Sequence, residues 1–235
     1  MRGMHRARGR FQRTVAVVLF FGALFPTADT VGGGSGSPRR EIGCSQLLNL
    51  EEDEVSSEIA DAYGLESEVI NDCTLDGTIT TVVWWGGYSQ WNPGDPELTS
   101  FNLRFYADQG CFPGELLAEF MGMSPAIEFA GYDSLGYPSY KYEVTLDMPI
   151  QNFTFWFGAQ GGDHLFPPQW GRGGNGGYFR SCPSMFKSAY YGYPDWVPVE
   201  DVIGRPWDAS QEFQYEPPPT ASRGSTWGAI RSHYR

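Results

Sequence analysis

From residue 74 onward the dominant period of the chain is two. In Thr99–Ala107, Phe101, Leu103 and Phe105 point one way while Asn102, Arg104 and Tyr106 point the other. Tyr140, Tyr142, Val144 and Leu146 alternate with Lys141, Glu143, Thr145 and Asp147, and Phe153, Phe155 and Phe157 alternate with Thr154, Trp156 and Gly158. Successive side chains of a strand lie on opposite faces, so this is the pattern of a sheet with one buried face. Thr78–Trp85 is β-branched and aromatic throughout, as suits a strand buried on both faces. Shorter strands are expected at Glu115–Met121, Ala126–Tyr132 and Glu212–Tyr215. Turn signals punctuate the runs: Gly86-Gly87, Asn92-Pro93-Gly94-Asp95, Pro113-Gly114, Asp133–Pro138 and Met148-Pro149. No helical segments alternate with the strands, which excludes a parallel sheet with crossovers. The expectation is an all-β fold, an antiparallel two-sheet sandwich over residues 66–216.

A length of 235 residues fits one all-β domain, and an apolar share of 41% suffices for a core. The formal net charge is −12, with 28 acidic against 16 basic residues. Nucleic-acid binding needs clustered Lys and Arg, so that partner is excluded.

The N-terminus reads as an export signal. Residues 1–13 carry Arg2, Arg6, Arg8, Arg10 and Arg13 and no acid, and an apolar run follows from Val15 to Phe25. Eleven residues make about 16 Å of helix, against a bilayer core of about 30 Å. The run is too short to span but fits the apolar centre of a secretory signal. Residues 1–28 are assigned to a signal-peptide helix, and cleavage leaves no resident transmembrane helix. The remaining chain has 11 basic and 28 acidic residues, a net charge of −17. Residues 29–40 form a Gly/Ser-rich linker. Residues 41–65 form a lead-in, either a short helix on Val55, Ile59 and Ala62 or an irregular approach to the first strand.

Export makes the cysteines interpretable as disulfides. Cys44, Cys73, Cys111 and Cys182 allow three pairings, and sequence leaves all three open; Cys44–Cys73 with Cys111–Cys182 is the pairing adopted. Zinc is disfavoured, because there is no Cys-x-x-Cys and His164 is the one histidine between signal and tail.

Val82-Val-Trp-Trp-Gly-Gly-Tyr88, then Phe101-Asn-Leu-Arg-Phe-Tyr-Ala-Asp108, then Pro113-Gly114 form a block that resembles one shared by many exported bacterial proteins. In that uncharacterised group the block is similar to the first half of a jelly-roll-like sandwich. Asp208-Ala-Ser-Gln-Glu-Phe-Gln-Tyr215 resembles its closing strand. The resemblance covers roughly residues 66–216 and implies the fold, an exported location and no catalytic residue. The aromatic stretch at 178–196 departs from the group.

No constellation commits the chain to catalysis. There is no Gly-x-Ser-x-Gly elbow beside His164, and 28 acids make any one glycosidase-like pair uninformative. Gly171-Arg-Gly173-Gly174-Asn-Gly176 matches a dinucleotide fingerprint in letters only, since no buried strand precedes it and no helix follows. The Gly-rich stretch 161–177 with Trp170 and Arg172 is instead expected to form a binding loop on a rigid sheet. Beside it, Tyr190, Tyr191, Tyr193 and Trp196 offer amphipathic rings that stack on sugars. Trp170 with at least two of those four on one open surface would put sugar binding first; if all are buried, the rings are core. Asn92, Asp95 and Glu97 share one turn and make Ca²⁺ the one candidate metal, in the absence of any other expected cofactor.

Residues 217–235 are a Pro-rich spacer and a tail. Trp227, Ile230 and Tyr234 would share one face of a short C-terminal helix. Arg223, Arg231 and Arg235 make it basic, and its Trp-Gly start resembles a recurrent ending of exported bacterial proteins. The functional expectation is a non-catalytic interaction or adhesion module, secreted or at the cell surface, with a glycan or surface partner. The alternatives are a secreted glycoside or other carboxylate-dependent hydrolase and a structural envelope protein.

Overall fold

The structure is a computed structural model that describes residues 40–92, 98–162, 168–177 and 182–217, with the backbone alone for 147–153. The expected signal helix, most of the linker, and the tail with its C-terminal helix lie outside the described residues.

Among the described residues, fifteen strands and one short α-helix follow in chain order. They are β1 (Glu41–Gln46), β2 (Val55–Ser56), β3 (Ile59–Ala60), β4 (Leu65–Glu66), β5 (Glu68–Ser89), β6 (Phe101–Asp108), β7 (Pro113–Met123) and β8 (Ala126–Tyr132). Then come β9 (Pro138–Gly161), β10 (Gln169–Arg172), β11 (Gly174–Gly176), β12 (Met185–Ser188), β13 (Tyr193–Pro198), α1 (Val199–Ile203), β14 (Trp207–Ala209) and β15 (Gln211–Glu216). All the strand pairs are antiparallel.

The architecture is the expected two-layer sandwich, built on one folded ribbon. β5 and β9 are 22 and 24 residues long and pair along most of their length. Their register breaks between Thr74 and Gly77 and again between Ile79 and Thr81. Bulges bend and twist a ladder, so each strand serves both layers. In one layer, the start of β5 and the end of β9 are flanked by β12 with β13 and by β6 with β7. In the other, the end of β5 and the start of β9 are flanked by β8, by β15 with β1, and by β10 with β2.

The alternating rows meet between the layers. Phe101, Leu103 and Phe105 are fully buried, and Tyr142, Val144 and Leu146 face them from the other layer. Trp84 stacks on Tyr142 at 5.5 Å between centroids and meets Phe101 edge-on at 5.2 Å. Phe213 crosses from the second layer to Phe155 and Phe157 at 5.2 and 5.5 Å. Trp156 faces the opposite side and is buried too, because Ile70, Cys182 and Met185 cover it.

Cys44 pairs with Cys73, and Cys111 pairs with Cys182. The first bridge ties β1 to β5, and the second ties the turn after β6 to the approach to β12. Two disulfides suit an oxidising, extracytoplasmic compartment. No helix of the described residues is long and apolar enough to cross a membrane.

The lead-in resolves to the irregular alternative, since a single 3-10 turn at Asp61–Tyr63 is its only helix. Tertiary pairing captures its backbone instead: Val55 pairs with Arg172, and the Ser57 N–H donates to the Trp170 carbonyl. The sheet also begins earlier than residue 66, because β1 pairs with β15.

Candidate functional site

Gly86 and Gly87 admit close neighbours on opposite faces of β5. A Cβ at Gly86 would lie 2.4 Å from the Trp170 ring, and one at Gly87 would lie 1.9 Å from a Glu54 carboxylate oxygen. The glycine pair therefore exists where an indole packs on the core face of β5 and a carboxyl group packs on the other. Ser139 Oγ donates to Glu54 at 2.7 Å. Burial pushes the Glu54 carboxyl up to about 8; the Ser139 bond opposes this and Asp133 adds to it. Glu58 lies behind it, with Oε2 accepting the Trp170 N–H at 2.9 Å. Burial pushes Glu58 up to about 7, against the bonds from Trp170 and Gln169. At neutral pH Glu54 is thus mostly a neutral hydrogen-bonding carboxyl group.

Beside Glu54 opens a groove of about 350 Å³, within the roughly 300–1,000 Å³ of small-molecule sites. Glu54, Ser56, Gln169, Tyr191 and Tyr193 line it, together with Val202 and Ile203 of α1 and the buried Val55 and Phe186. A smaller recess of about 30 Å³ continues between Glu54, Ser89 and Gln169. Gln169 donates through Nε2 to the Tyr191 hydroxyl. Phe186 meets Tyr193 edge-on at 5.8 Å, and Tyr190 stands at 88° to Tyr191 with centroids 5.0 Å apart. The exposures of Tyr190 and Tyr191 are 52% and 40%. These two rings make a corner, not a flat platform.

The expected site residues separate into two groups. Tyr191 and Tyr193 line the groove, and Tyr190 packs against Tyr191 while lining a separate recess with Glu66 and Lys187. Trp170 and Arg172 do neither, because both are fully buried. The stretch around them is not an open loop: Gln169–Arg172 and Gly174–Gly176 are strands. Trp170 and Arg172 share the inward face of β10, where Trp170 Nε1 donates to the Tyr142 hydroxyl at 3.2 Å and Arg172 lies 5.4 Å over the Phe157 ring. The glycines serve close packing, since a Cβ at Gly174 would strike the Trp207 ring. Of the surface of Trp170 plus tyrosines expected for sugar stacking, the tyrosines alone are exposed. Trp196 packs elsewhere, edge-on to Tyr106 at 5.7 Å and beneath the Lys187 ammonium.

Asp95 and Glu97 of the calcium candidate lie outside the described residues. Asn92 is exposed, and no group of three or more His, Cys, Asp or Glu that could hold a metal occurs among the described residues. Asp108, the last residue of β6, accepts from Trp156 Nε1 at 3.0 Å and caps the turn that holds Cys111.

Glu54, Ser56, Gln169 and Phe186 were not singled out from sequence. Gln169 was accessible to it, since alternation through Gln169-Trp170-Gly171-Arg172 puts Gln169 opposite a buried tryptophan. Among the described groove-lining residues Glu54 is the one acid and none is basic. Two-carboxylate hydrolysis needs a second acid across the scissile bond, whereas rings, an amide, a hydroxyl and a neutral carboxyl suit hydroxyl-rich ligands. No protein-family model, curated protein or solved structure matches the chain.

Proposed function

We propose that the chain is an exported, non-catalytic interaction module of a bacterial surface that binds soluble neutral glycans in the groove between β10 and β13. The observation that carries this reading is the composition of the groove: the Tyr191 and Tyr193 rings, backed by the buried Phe186, beside Gln169, Ser56 and Glu54. Sugars present apolar C–H faces and a rim of hydroxyls, and these walls complement both. The perpendicular Tyr190 and Tyr191 rings suit a single chain or chain end rather than the flat face of a crystalline polysaccharide. The Arg-rich, apolar leader and the two disulfides support an extracytoplasmic location. The resemblance of the Val82–Tyr88 block to exported bacterial proteins supports the bacterial surface.

The test is an array carrying neutral, acidic and amino glycans, followed by product analysis of every glycan bound. The reading expects retention of neutral glycans and no released product. Turnover abolished by Glu54→Gln would replace it with the hydrolase alternative.

A further inference from the structure

β8 is an edge strand that leaves an apolar shelf uncovered. Among the described residues it pairs with β9 on one side and with nothing on the other. Ile127 and Phe129 sit opposite Tyr142 and Tyr140, which point into the core. Cross-strand partners share a face, and the Phe129 ring indeed meets Tyr140 edge-on at 5.9 Å. Ile127 and Phe129 thus continue the inner face of their layer beyond the point where the other layer covers it. They are 37% and 51% exposed, followed by Tyr132 at 62% and Leu135 at 74%. Those four side chains alone offer about 400 Å² of apolar surface. A standard interface takes about 800 Å² from each partner, somewhat more than half of it apolar.

We infer that β8 is a homodimer interface, joined edge to edge with β8 of a second copy about a two-fold axis. An antiparallel strand pair is itself two-fold symmetric, so one strand can serve both sides of a closed dimer. The charges exclude one register. Centring the axis on Glu128 would set two carboxylates face to face, which is repulsive. Centring it on Phe129 sets the two rings together and places Glu128 opposite the bulged Ala130. Glu128 then keeps its own partner, Lys141 Nζ at 3.8 Å. The pairing also hides an exposed, apolar strand edge, a feature that otherwise promotes uncontrolled association. Both copies are strongly acidic, so added salt strengthens the dimer by screening their repulsion.

The experiment is sedimentation equilibrium of the oxidised full chain from low to high micromolar concentration, at low and at moderate salt. The expected result is a monomer–dimer equilibrium that shifts toward dimer with salt. Phe129→Arg, placing two cations at the axis, should raise the dissociation constant about tenfold or more. Ile127→Lys should act in the same direction, and it provides the readout if circular dichroism shows Phe129→Arg to be unfolded. A wild-type chain that stays monomeric throughout overturns the inference, as does a dimer that both folded variants leave intact. Glycan binding by a monomeric wild-type chain would overturn the dimer alone and leave the groove reading standing.

Discussion

Reduction of the two disulfides should unfold the protein. Cys44–Cys73 closes a separation of 29 residues and Cys111–Cys182 one of 71. Chain entropy alone assigns them about 3.6 and about 4.4 kcal/mol at 25 °C. The two loops do not overlap, so their effects nearly add, to about 8 kcal/mol. Typical domains have only about 5–15 kcal/mol in total. Cys44, Cys73 and Cys182 are also buried, so replacement with alanine removes packed sulfur as well. The loop-length difference of about 0.8 kcal/mol is smaller than such packing effects, so no rank order is expected between the two bridges. The assay is guanidinium unfolding of wild type, Cys44→Ala/Cys73→Ala and Cys111→Ala/Cys182→Ala, followed by tryptophan fluorescence. Each double variant should lose about 3–5 kcal/mol, and the wild type with excess dithiol should show no cooperative transition at 37 °C. A loss below about 1 kcal/mol in either double variant would refute the reasoning. The consequence for biology is direct: a chain that needs both bridges folds only where thiols are oxidised.

Two further outcomes follow from Glu54 and Gly86. Glu54 has its folded value raised from 4.5 to about 8, so the folded state holds a proton that the unfolded state has lost. Its stabilising effect is fully present below about 4.5, declines as pH rises through that window and is gone above about 8; Glu54→Gln should flatten this slope in urea titrations from pH 5 to pH 9, and an unchanged slope would contradict the assignment. Gly86→Ala should destabilise by about 1–3 kcal/mol, because its Cβ meets the Trp170 ring and the Gly171 carbonyl at 2.4 Å; differential scanning calorimetry reads this as a lowered Tm, and an unchanged Tm would count against the packing described.

The rows Phe101-Leu103-Phe105 and Tyr140-Tyr142-Val144 were legible because a half-buried strand writes its period into the sequence. The leaving of one layer for the other within β5 was not, since a bulge at Thr74–Gly77 is a register event between distant strands. Trp170 and Arg172 misled for a related reason. A glycine-rich stretch reads as a loop, yet Gly171, Gly173 and Gly174 are there to let Val55, Leu48 and Trp207 approach. Burial of Arg172 ran against the expectation for a cation, and burial lowers its value to about 9 while Asp208 and then Glu68 oppose that shift. The tyrosines at 190, 191 and 193 were legible as a cluster. Their partners Glu54 and Gln169 come from segments 115 residues apart and meet only through β2 and β10 pairing.

Calorimetric titration of soluble neutral oligosaccharides into wild type, Tyr191→Ala and Trp196→Ala at pH 7 tests the groove most directly. The account predicts saturable wild-type binding, a loss of about tenfold or more in Tyr191→Ala, and wild-type affinity in Trp196→Ala, whose ring packs on Tyr106 away from the groove. Equal affinity in wild type and Tyr191→Ala, or no heat with any neutral sugar, would contradict it.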